Sequence, residues 1–401
     1  MKPRILIVMH YLEIGGAESA LIGLLRTLDP EKVEVDLFLY DHRGELIADI
    51  PEWVNVLPAI GAYTMLERPI KEVIKSGFIK LALRRWIAKR KAVKAYNRSG
   101  SYLENYSVFF YAMFETNKIL PSINPDVKYD LAISFLTPHH FVLDKVNAKK
   151  KVGWIHTDYT KVWIDVKEEW KMWSRLDNIV SISGDVTRTF CQVFPEAKEK
   201  IVEIENILSP SYIRERAELI SREEILCEFD AKDSKVFLTI GRFCHPKKME
   251  EIPDILKALR AKGHDVCWYI IGFGDDTLIQ ESIARTDMGE YVKILGKKTN
   301  PYPYIKACDV YLQPSRYEGK SIVVREAQIL GKPVIITNYP TATSQVRNNV
   351  DGYIVPMPVK ECVDFIGALL SDESALPKIA EYNRTHDFGN ESEVEKIYSL
   401  L

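Results

Sequence analysis

Short apolar runs bounded by turn residues alternate along most of this chain with stretches of helical periodicity. That is the rhythm of βα units built on buried parallel strands. Runs at 4–9, 35–39, 130–135, 151–155, 179–183 and 201–205 predict a first series of strands, with a helix over 17–28. Around Asn206-Ile207-Leu208-Ser209-Pro210 the pattern stops and a second series begins. Its strands are predicted at 235–240, 266–271, 292–295, 309–312, 333–337 and 353–355, and its helices at 249–261, 302–307, from the low 320s to 330, and 360–370. Two consecutive α/β series predict two doubly wound domains, 1–208 and 209–384, with ligand bound at the carboxyl ends of the strands. No tandem repeat or low-complexity tract interrupts them.

One segment breaks the rhythm. Residues 67–98 carry Arg68, Lys71, Lys75, Lys80, Arg84, Arg85, Lys89, Arg90, Lys91, Lys94 and Arg98 against only Glu67 and Glu72. Phe78, Leu81, Leu83, Trp86, Ile87 and Val93 are interleaved among them. The pattern predicts a basic helical insertion over about 67–120, within which 67–98 suits an anionic membrane surface. The plainer account is a solvated insertion whose apolar side covers the domain.

Length and composition narrow the picture. At 401 residues the chain exceeds the usual size of a single core, in agreement with two domains. A formal charge of -2 gives no global reason to expect a nucleic-acid partner. The cysteines (Cys191, Cys227, Cys244, Cys267, Cys308, Cys362) form no C-x-x-C pair and have no His-rich neighbours, against a zinc site or a disulfide scaffold. Most sit in apolar runs, as small core residues do. The N-terminus is too short in apolar residues for a secretory core, and no stretch reaches the roughly 18 needed to span a bilayer. A cytoplasmic, reducing location without an integral anchor is the expectation.

Candidate chemistry concentrates in the second half. In Tyr317-Glu318-Gly319-Lys320-Ser321-Ile322-Val323-Val324-Arg325-Glu326-Ala327 a predicted strand gives way to a helix, with one carboxylate before the helix and another inside it. Gly319 lets backbone approach a ligand, and the helix start offers free N–H groups and a positive dipole end. Glu326 lies roughly 7 to 8 Å along the axis from Ser321. A sugar joined through a diphosphate to a nucleoside would use a carboxylate, an anion nest and a second carboxylate in this order. Upstream, Gly241-Arg242-Phe243-Cys244-His245-Pro246-Lys247-Lys248 follows the 235–240 strand. From that strand-to-helix loop Arg242 and Lys247 can clamp a diphosphate and stabilise it as a leaving group.

Other motifs carry less. Gly272-Phe273-Gly274-Asp275-Asp276 lacks the third glycine of a dinucleotide fingerprint, having Thr277 there, and reads as a tight strand-to-helix turn. Gly15-Gly16 sits between the first strand and its helix, where backbone amides can approach a phosphate or an acceptor hydroxyl. His156 closes a predicted strand, which raises it above an ordinary loop histidine. His139-His140 reads as loop surface.

These residues resemble the retaining glycosyltransferases of GT-B architecture, specifically glycosyltransferase family 4, the glycosyl transferases group 1, in its polysaccharide-assembly branch. The resemblance is strongest over 235–356: Gly241-Arg242 with Lys247, the turn from Ile271 to Asp276, Gln313-Pro314-Ser315, the E-x7-E spacing from Glu318 to Glu326, Gly331-Lys332-Pro333-Val334-Ile335 and Asp351-Gly352-Tyr353. The N-terminal half matches more weakly, through Gly15-Gly16-Ala17-Glu18 and His156.

The resemblance implies an α/β fold of two Rossmann-like domains facing each other across a cleft, with a final helix, 385–401, crossing back to the N-terminal domain. It implies transfer of a sugar with retained configuration from a UDP- or GDP-sugar to a lipid-linked saccharide or polysaccharide precursor, in surface polysaccharide biosynthesis at the inner face of the membrane. Arg242 and Lys247 would hold the diphosphate without an obligatory metal or other cofactor, and Gly319, Lys320, Ser321, Ile322 and Val323 would cap it. Glu318 would contact the transferred sugar, Glu326 the ribose, His156 the sugar from the N-terminal domain, and Gly16 the phosphates or acceptor. Ser321 and Lys320 depart from the glycine and aromatic residue common in the family. A nucleotide-sugar epimerase of this architecture and a non-catalytic sugar-nucleotide or glycan-binding protein are the competing readings. The broken glycine fingerprint disfavours an oxidoreductase.

Overall fold

The computed structural model describes residues 2–229 and 234–401. It divides into two compact units, Met1–Ile207 with Glu391–Leu401, and Leu208–Asn390. The boundary between the units therefore falls at Ile207, slightly earlier than the sequence pattern suggests.

The N-terminal unit is built on seven strands: β1 (Arg4–Met9), β2 (Glu34–Leu39), β3 (Asn55–Val56), β4 (Tyr129–Ser134), β5 (Ala148–Ile155), β6 (Asn178–Ser181) and β7 (Ile201–Glu203). They lie in the order β3-β2-β1-β4-β5-β6-β7, all parallel. Ile5 to Met9 are all buried, as a strand covered on both faces requires. Val8 stands in register with Phe38 on one side and Ser134 on the other.

The predicted basic insertion over about 67–120 contains the helices Ile70–Lys75, Ile79–Ser99 and Ser107–Asn117, the first two carrying the basic segment. Gly77, at φ +83, makes the break between those two, a conformation that costs glycine nothing. The longer helix packs beside Ser107–Asn117, whose Glu115 is buried and accepts from Arg84 (3.1 Å), Lys91 (2.6 Å) and Lys118 (3.1 Å). Some of the basic charge thus serves the insertion's own packing.

The chain returns to this unit only from Glu391. The helix Ala375–Thr385 stays with the C-terminal unit, where Asn383 Nδ2 donates to the carbonyls of Lys332 and Asp351. The terminal helix Val394–Tyr398 closes on the first unit: Asp29 N donates to Tyr398 OH (2.8 Å), Lys396 Nζ to Glu203 O (3.1 Å) and Glu205 N to Glu393 Oε2 (3.0 Å).

The C-terminal unit has six parallel strands: β8 (Lys235–Phe243), β9 (Val266–Gly274), β10 (Val292–Gly296), β11 (Val310–Gln313), β12 (Val334–Thr337) and β13 (Tyr353–Val355). Their order is β10-β9-β8-β11-β12-β13. In each unit the chain runs outward from its first strand to one edge and then returns to fill the other side, so the order reverses at β1/β4 and at β8/β11. Crevices at the carboxyl ends of such switch points are where doubly wound sheets bind ligands.

Strands β8 and β9 run three residues beyond their predicted ends, pairing Gly241 with Gly272, Arg242 with Phe273 and Phe243 with Gly274. Only glycine permits this approach, since a Cβ on Gly272 would lie 1.9 Å from the Gly241 carbonyl oxygen. Arg242 accordingly stands on a strand rather than in a loop, and Gly272-Phe273-Gly274 is a strand tail rather than a turn. The helix predicted over 249–261 is a 3-10 turn, Met249–Glu251, followed by an α-helix from Ile252. Cys267, Cys308 and Cys362 are buried, whereas Cys227 and Cys244 are exposed and Cys191 is half-buried, so the core accounts for only half of the cysteines. Among the described residues no helix is long and apolar enough to cross a membrane.

Candidate active site

At the β8/β11 switch point two loops meet. The first contains the 3-10 turn His245–Lys247, and the second runs from Pro314 to Ser321. Lys247 Nζ donates to Glu318 Oε1 at 2.7 Å, and both side chains are largely withdrawn from solvent. The absence of a side chain at Gly241 gives Lys247 room to lie there, because a Cβ would come within 3.3 Å of Lys247 Cε.

A hydrogen-bond chain leads from the sheet to the same carboxylate. Tyr311 OH donates to Gln313 Oε1 (2.5 Å), Gln313 Nε2 to Ser315 Oγ (2.9 Å), and Ser315 Oγ to Glu318 Oε1 (2.6 Å). Thr341 Oγ1 donates to the Glu318 carbonyl (2.9 Å), and Arg316 donates through N and Nη1 to the carbonyls of Pro246 and His245, both at 2.7 Å. The loops are clamped together, and Glu318 is held by a charge and a hydroxyl at once, the stronger kind of hydrogen bonding.

The helix Ile322–Ile329 opens directly after Ser321. Here the structure corrects one expectation. Ser321 N donates to Gln345 Oε1 (2.9 Å), Gln345 Nε2 returns a bond to Ser321 O, and Tyr339 OH supports Gln345 Oε1 (3.2 Å). The Ser321 amide is therefore committed to the protein and does not belong to a free anion nest. Ile322 and Val323 occupy the first turn, whose amides have no intrahelical acceptor, and Gly319 and Lys320 lie in the half-buried loop before it.

Glu326 is only 3% exposed, and Tyr302 OH donates to its Oε1 (3.1 Å). Burial pushes its carboxyl up to about 7, against the pull of the Tyr302 bond. Arg242 is exposed at the tail of β8.

The N-terminal unit presents different chemistry at its strand ends. His156 follows β5, its ring near-parallel to Trp154 (6.2 Å between centroids) and tilted against Phe135 (4.9 Å). Burial lowers its pKa to about 4, so it is neutral, and its Nε2 is buried without a partner among the described residues. His139 and His140, expected on a loop surface, are buried instead. His139 Nδ1 lies 2.8 Å from Ser134 Oγ and its ring packs against Trp173 and over Gly153, where a Cβ would meet the ring at 2.8 Å. Burial holds His139 well below its ordinary pKa and lowers His140 to about 4.

His10, the residue after β1, was not singled out from the sequence. Its Nδ1 lies 2.9 Å from Glu67 Oε1, its ring stacks on Tyr40 at 4.7 Å, and its Nε2 is buried without a partner among the described residues. The carboxylate fixes the orientation of the imidazole through Nδ1. The strand-end position that raised His156 applies equally to His10.

Beyond His10 lies the glycine loop. Gly15 is the residue before the helix Gly16–Thr27, and a Cβ there would meet the Glu18 carboxylate at 2.2 Å. Gly16 is exposed at the helix start.

Residues 222–386 match the family model Glycosyl transferases group 1. That segment contains Arg242, Lys247, Glu318 and Glu326. Among curated relatives, the UDP-Gal:alpha-D-GlcNAc-diphosphoundecaprenol alpha-1,3-galactosyltransferase of Escherichia coli is 26% identical over 178 residues, 42% of this chain and 46% of that protein. The capsular polysaccharide biosynthesis glycosyltransferase CapM of Staphylococcus aureus is 27% identical over 155 residues, 38% of this chain and 41% of that one. The match thus spans less than half the length of either relative.

Among solved structures, Anabaena HepE in complex with UDP and glucose superposes with a TM-score of 0.68 at 16% identity, covering 99% of this chain and 98% of that one. At that identity the likeness concerns the fold, which is the GT-B type with two Rossmann-like units.

Proposed function

We propose that the chain is a retaining glycosyltransferase of family 4 that moves a sugar from a UDP- or GDP-sugar to a lipid-linked saccharide or polysaccharide precursor in surface polysaccharide assembly. The observation that carries this reading is the Lys247–Glu318 pair at the β8/β11 switch point, inside the group 1 segment. The activities of the Escherichia coli and Staphylococcus aureus relatives, and the UDP and glucose bound by HepE, support the substrate classes.

In the proposed reaction Arg242 and Lys247 face the diphosphate, and their charge stabilises it more as the bond to the sugar breaks. The amides of Ile322 and Val323, with Gly319 and Lys320 before them, add to the anion site. Glu318 accepts hydrogen bonds from the sugar hydroxyls, Glu326 binds the ribose, His156 serves as a neutral hydrogen-bonding group for the transferred sugar, and Gly16 approaches the phosphates or acceptor.

In this reading neither carboxylate is assigned the role of nucleophile. Glu318 is engaged by Lys247 and Ser315, and Glu326 is buried beneath Tyr302. Retention then follows a front-face route: the acceptor oxygen bonds to the anomeric carbon on the side the diphosphate leaves, and its proton passes to the departing phosphate oxygen. Arg242 and Lys247 supply the charge a metal ion would otherwise supply, and a cytoplasmic site of action matches the nucleotide-sugar pool.

A panel of nucleotide sugars screened by thermal shift identifies the donor, since a bound ligand at a hundred times its Kd adds about 2.7 kcal/mol of stability. Transfer to a lipid-linked acceptor, with the anomeric configuration read by NMR, then tests the reaction. Turnover of the donor without any acceptor would point to an epimerase and overturn the reading.

A further inference from the structure

The helix Ile79–Ser99 carries eight cationic side chains and no acidic one. The structure sorts these cations into two groups. Arg84 and Lys91 pair with buried Glu115, and Arg85 Nη1 donates to the carbonyls of Met65 (2.9 Å) and Arg68 (2.6 Å). Lys80, Lys89, Arg90, Lys94 and Arg98 are exposed and have no acidic partner among the described residues.

Leu81, Ala82, Ala88 and Ala92 define the buried face. On the opposite side, one turn above another, stand Ile79 (66% exposed), Leu83 (56%), Trp86 (46%) and Val93 (41%), with the Arg90 guanidinium 4.1 Å over the Trp86 ring. Positions 79, 83, 86, 90 and 93 fall on one line of an α-helix, a ridge about 21 Å long at 1.5 Å per residue.

We propose that this ridge docks on an anionic lipid surface, lying in the interface with Ile79, Leu83, Trp86 and Val93 among the acyl boundary and Lys80, Lys89, Arg90 and Lys94 among the headgroups. A ridge of four large apolar side chains on a water-facing helix is unfavourable without a partner. Unpaired cations on both of its flanks require that partner to be negative. The ridge is convex and narrow, which fits a planar, deformable surface, whereas an acidic protein would need a matching groove. Trp beside Arg is the pairing that sits well at a headgroup boundary, the ring amphipathic and the cation reaching outward. The inference is independent of the donor chemistry, and it narrows the basic segment 67–98 to one face of one helix. Arg84 and Arg85, which sequence alone would place at a membrane, are engaged within the protein.

Sedimentation of the full chain with phosphatidylcholine vesicles, and with vesicles in which a third of the lipid is phosphatidylglycerol, tests the proposal. Binding to the anionic vesicles should be at least about tenfold stronger than to the neutral ones and should weaken with salt. The ridge variant Leu83→Ser/Trp86→Ser and the flank variant Lys80→Gln/Lys89→Gln/Lys94→Gln should each lower it at least about tenfold. All five side chains are exposed, and melting curves of both variants check that they fold. A control that removes the same charge elsewhere, Lys257→Gln/Lys293→Gln/Lys378→Gln, should leave binding unchanged. Four results would each overturn the proposal: no binding to anionic vesicles, equal loss in the control, no loss in either variant, or self-association in sedimentation velocity that the ridge variant abolishes.

Discussion

The two switch-point crevices solve opposite problems. Between β8 and β11 the central polar side chains are paired with one another: Lys247 with Glu318, Ser315 with Glu318 and Gln313, and Gln345 with the Ser321 backbone. At the ends of β1, β4 and β5 several ring nitrogens are buried and unmatched, with His10 Nε2, His139 Nε2, Trp154 Nε1 and His156 Nε2 all lacking partners among the described residues. A site for a charged ligand can hold itself together with charges, and the ligand then exchanges one set of ionic contacts for another. Desolvated imidazoles and indoles suit a hydroxyl-rich, uncharged group instead, which would satisfy atoms that are costly to leave unpaired.

The sharpest way to break this contrast lies in the ionic crevice. Lys247→Ala and Glu318→Ala should each lower transfer turnover by about a hundredfold or more. A melting curve taken alongside separates lost chemistry from lost fold. Near-normal turnover in either variant would remove the pair from the site.

The unmatched crevice should respond differently. His10→Ala and Glu67→Gln are expected to weaken acceptor use, and His156→Ala sugar transfer, by about tenfold to a hundredfold, as the loss of one buried hydrogen-bonding group does. Stabilisation by the nucleotide product, UDP or GDP, should stay unchanged in the His10 and Glu67 variants, so an equal loss in nucleotide binding would dissolve the distinction between the crevices.

A smaller effect concerns Glu326, whose carboxyl stands at about 7 in the free protein. Ribose hydroxyls donate to the ionised form, so donor affinity should rise with pH, by about tenfold between pH 6 and pH 8. Calorimetric titration should show that rise in the wild type and its loss in Glu326→Gln. A flat wild-type profile would leave Glu326 as a buried structural acid held by Tyr302.

The smallest expected effect is on stability. His140 and His156 have folded pKa values of about 4, and His139 lies well below its ordinary value, so the unfolded chain binds more protons as pH falls below about 6.5. Their contribution is complete above that pH and is lost as pH falls towards 4. Glu169 in the N-terminal unit, pushed up to about 8 by burial, and Glu326 in the other unit act in the opposite sense, favouring the folded state below about 4.5 and costing stability as pH rises through about 8 and about 7, but in the N-terminal unit the three histidines outweigh the one carboxyl. Six of the seven tryptophans belong to the N-terminal unit, so tryptophan fluorescence reports mainly on it. Its melting temperature should drop by several degrees between about pH 7 and pH 5. A rise over that interval would contradict the burial of the three histidines.

Much of this was legible in the chain. Strong apolar runs located most of the strands, because a strand buried on both faces needs an unbroken hydrophobic stretch. Arg242, Lys247, Glu318 and Glu326 stood out through their spacing around predicted strand ends. His139 and His140 did not, since their burial depends on Gly153 and Trp173, which contact them from other elements. The commitment of Ser321 to Gln345, 24 positions away, left no local trace.

Local pattern by itself determined the two α/β series, their division near Ile207 and the residue types at the second unit's strand ends, because periodicity and turn chemistry act over a few neighbouring residues. Tertiary structure alone decided the rest. It brought Lys247 to Glu318 across 71 positions, carried β8 and β9 on through facing glycines, and paired Arg84 and Lys91 with Glu115 and Arg85 with two carbonyls while leaving Trp86 and Arg90 facing water. Which side of a helix is buried, and which charge finds a partner, depends on what the remainder of the chain packs against it.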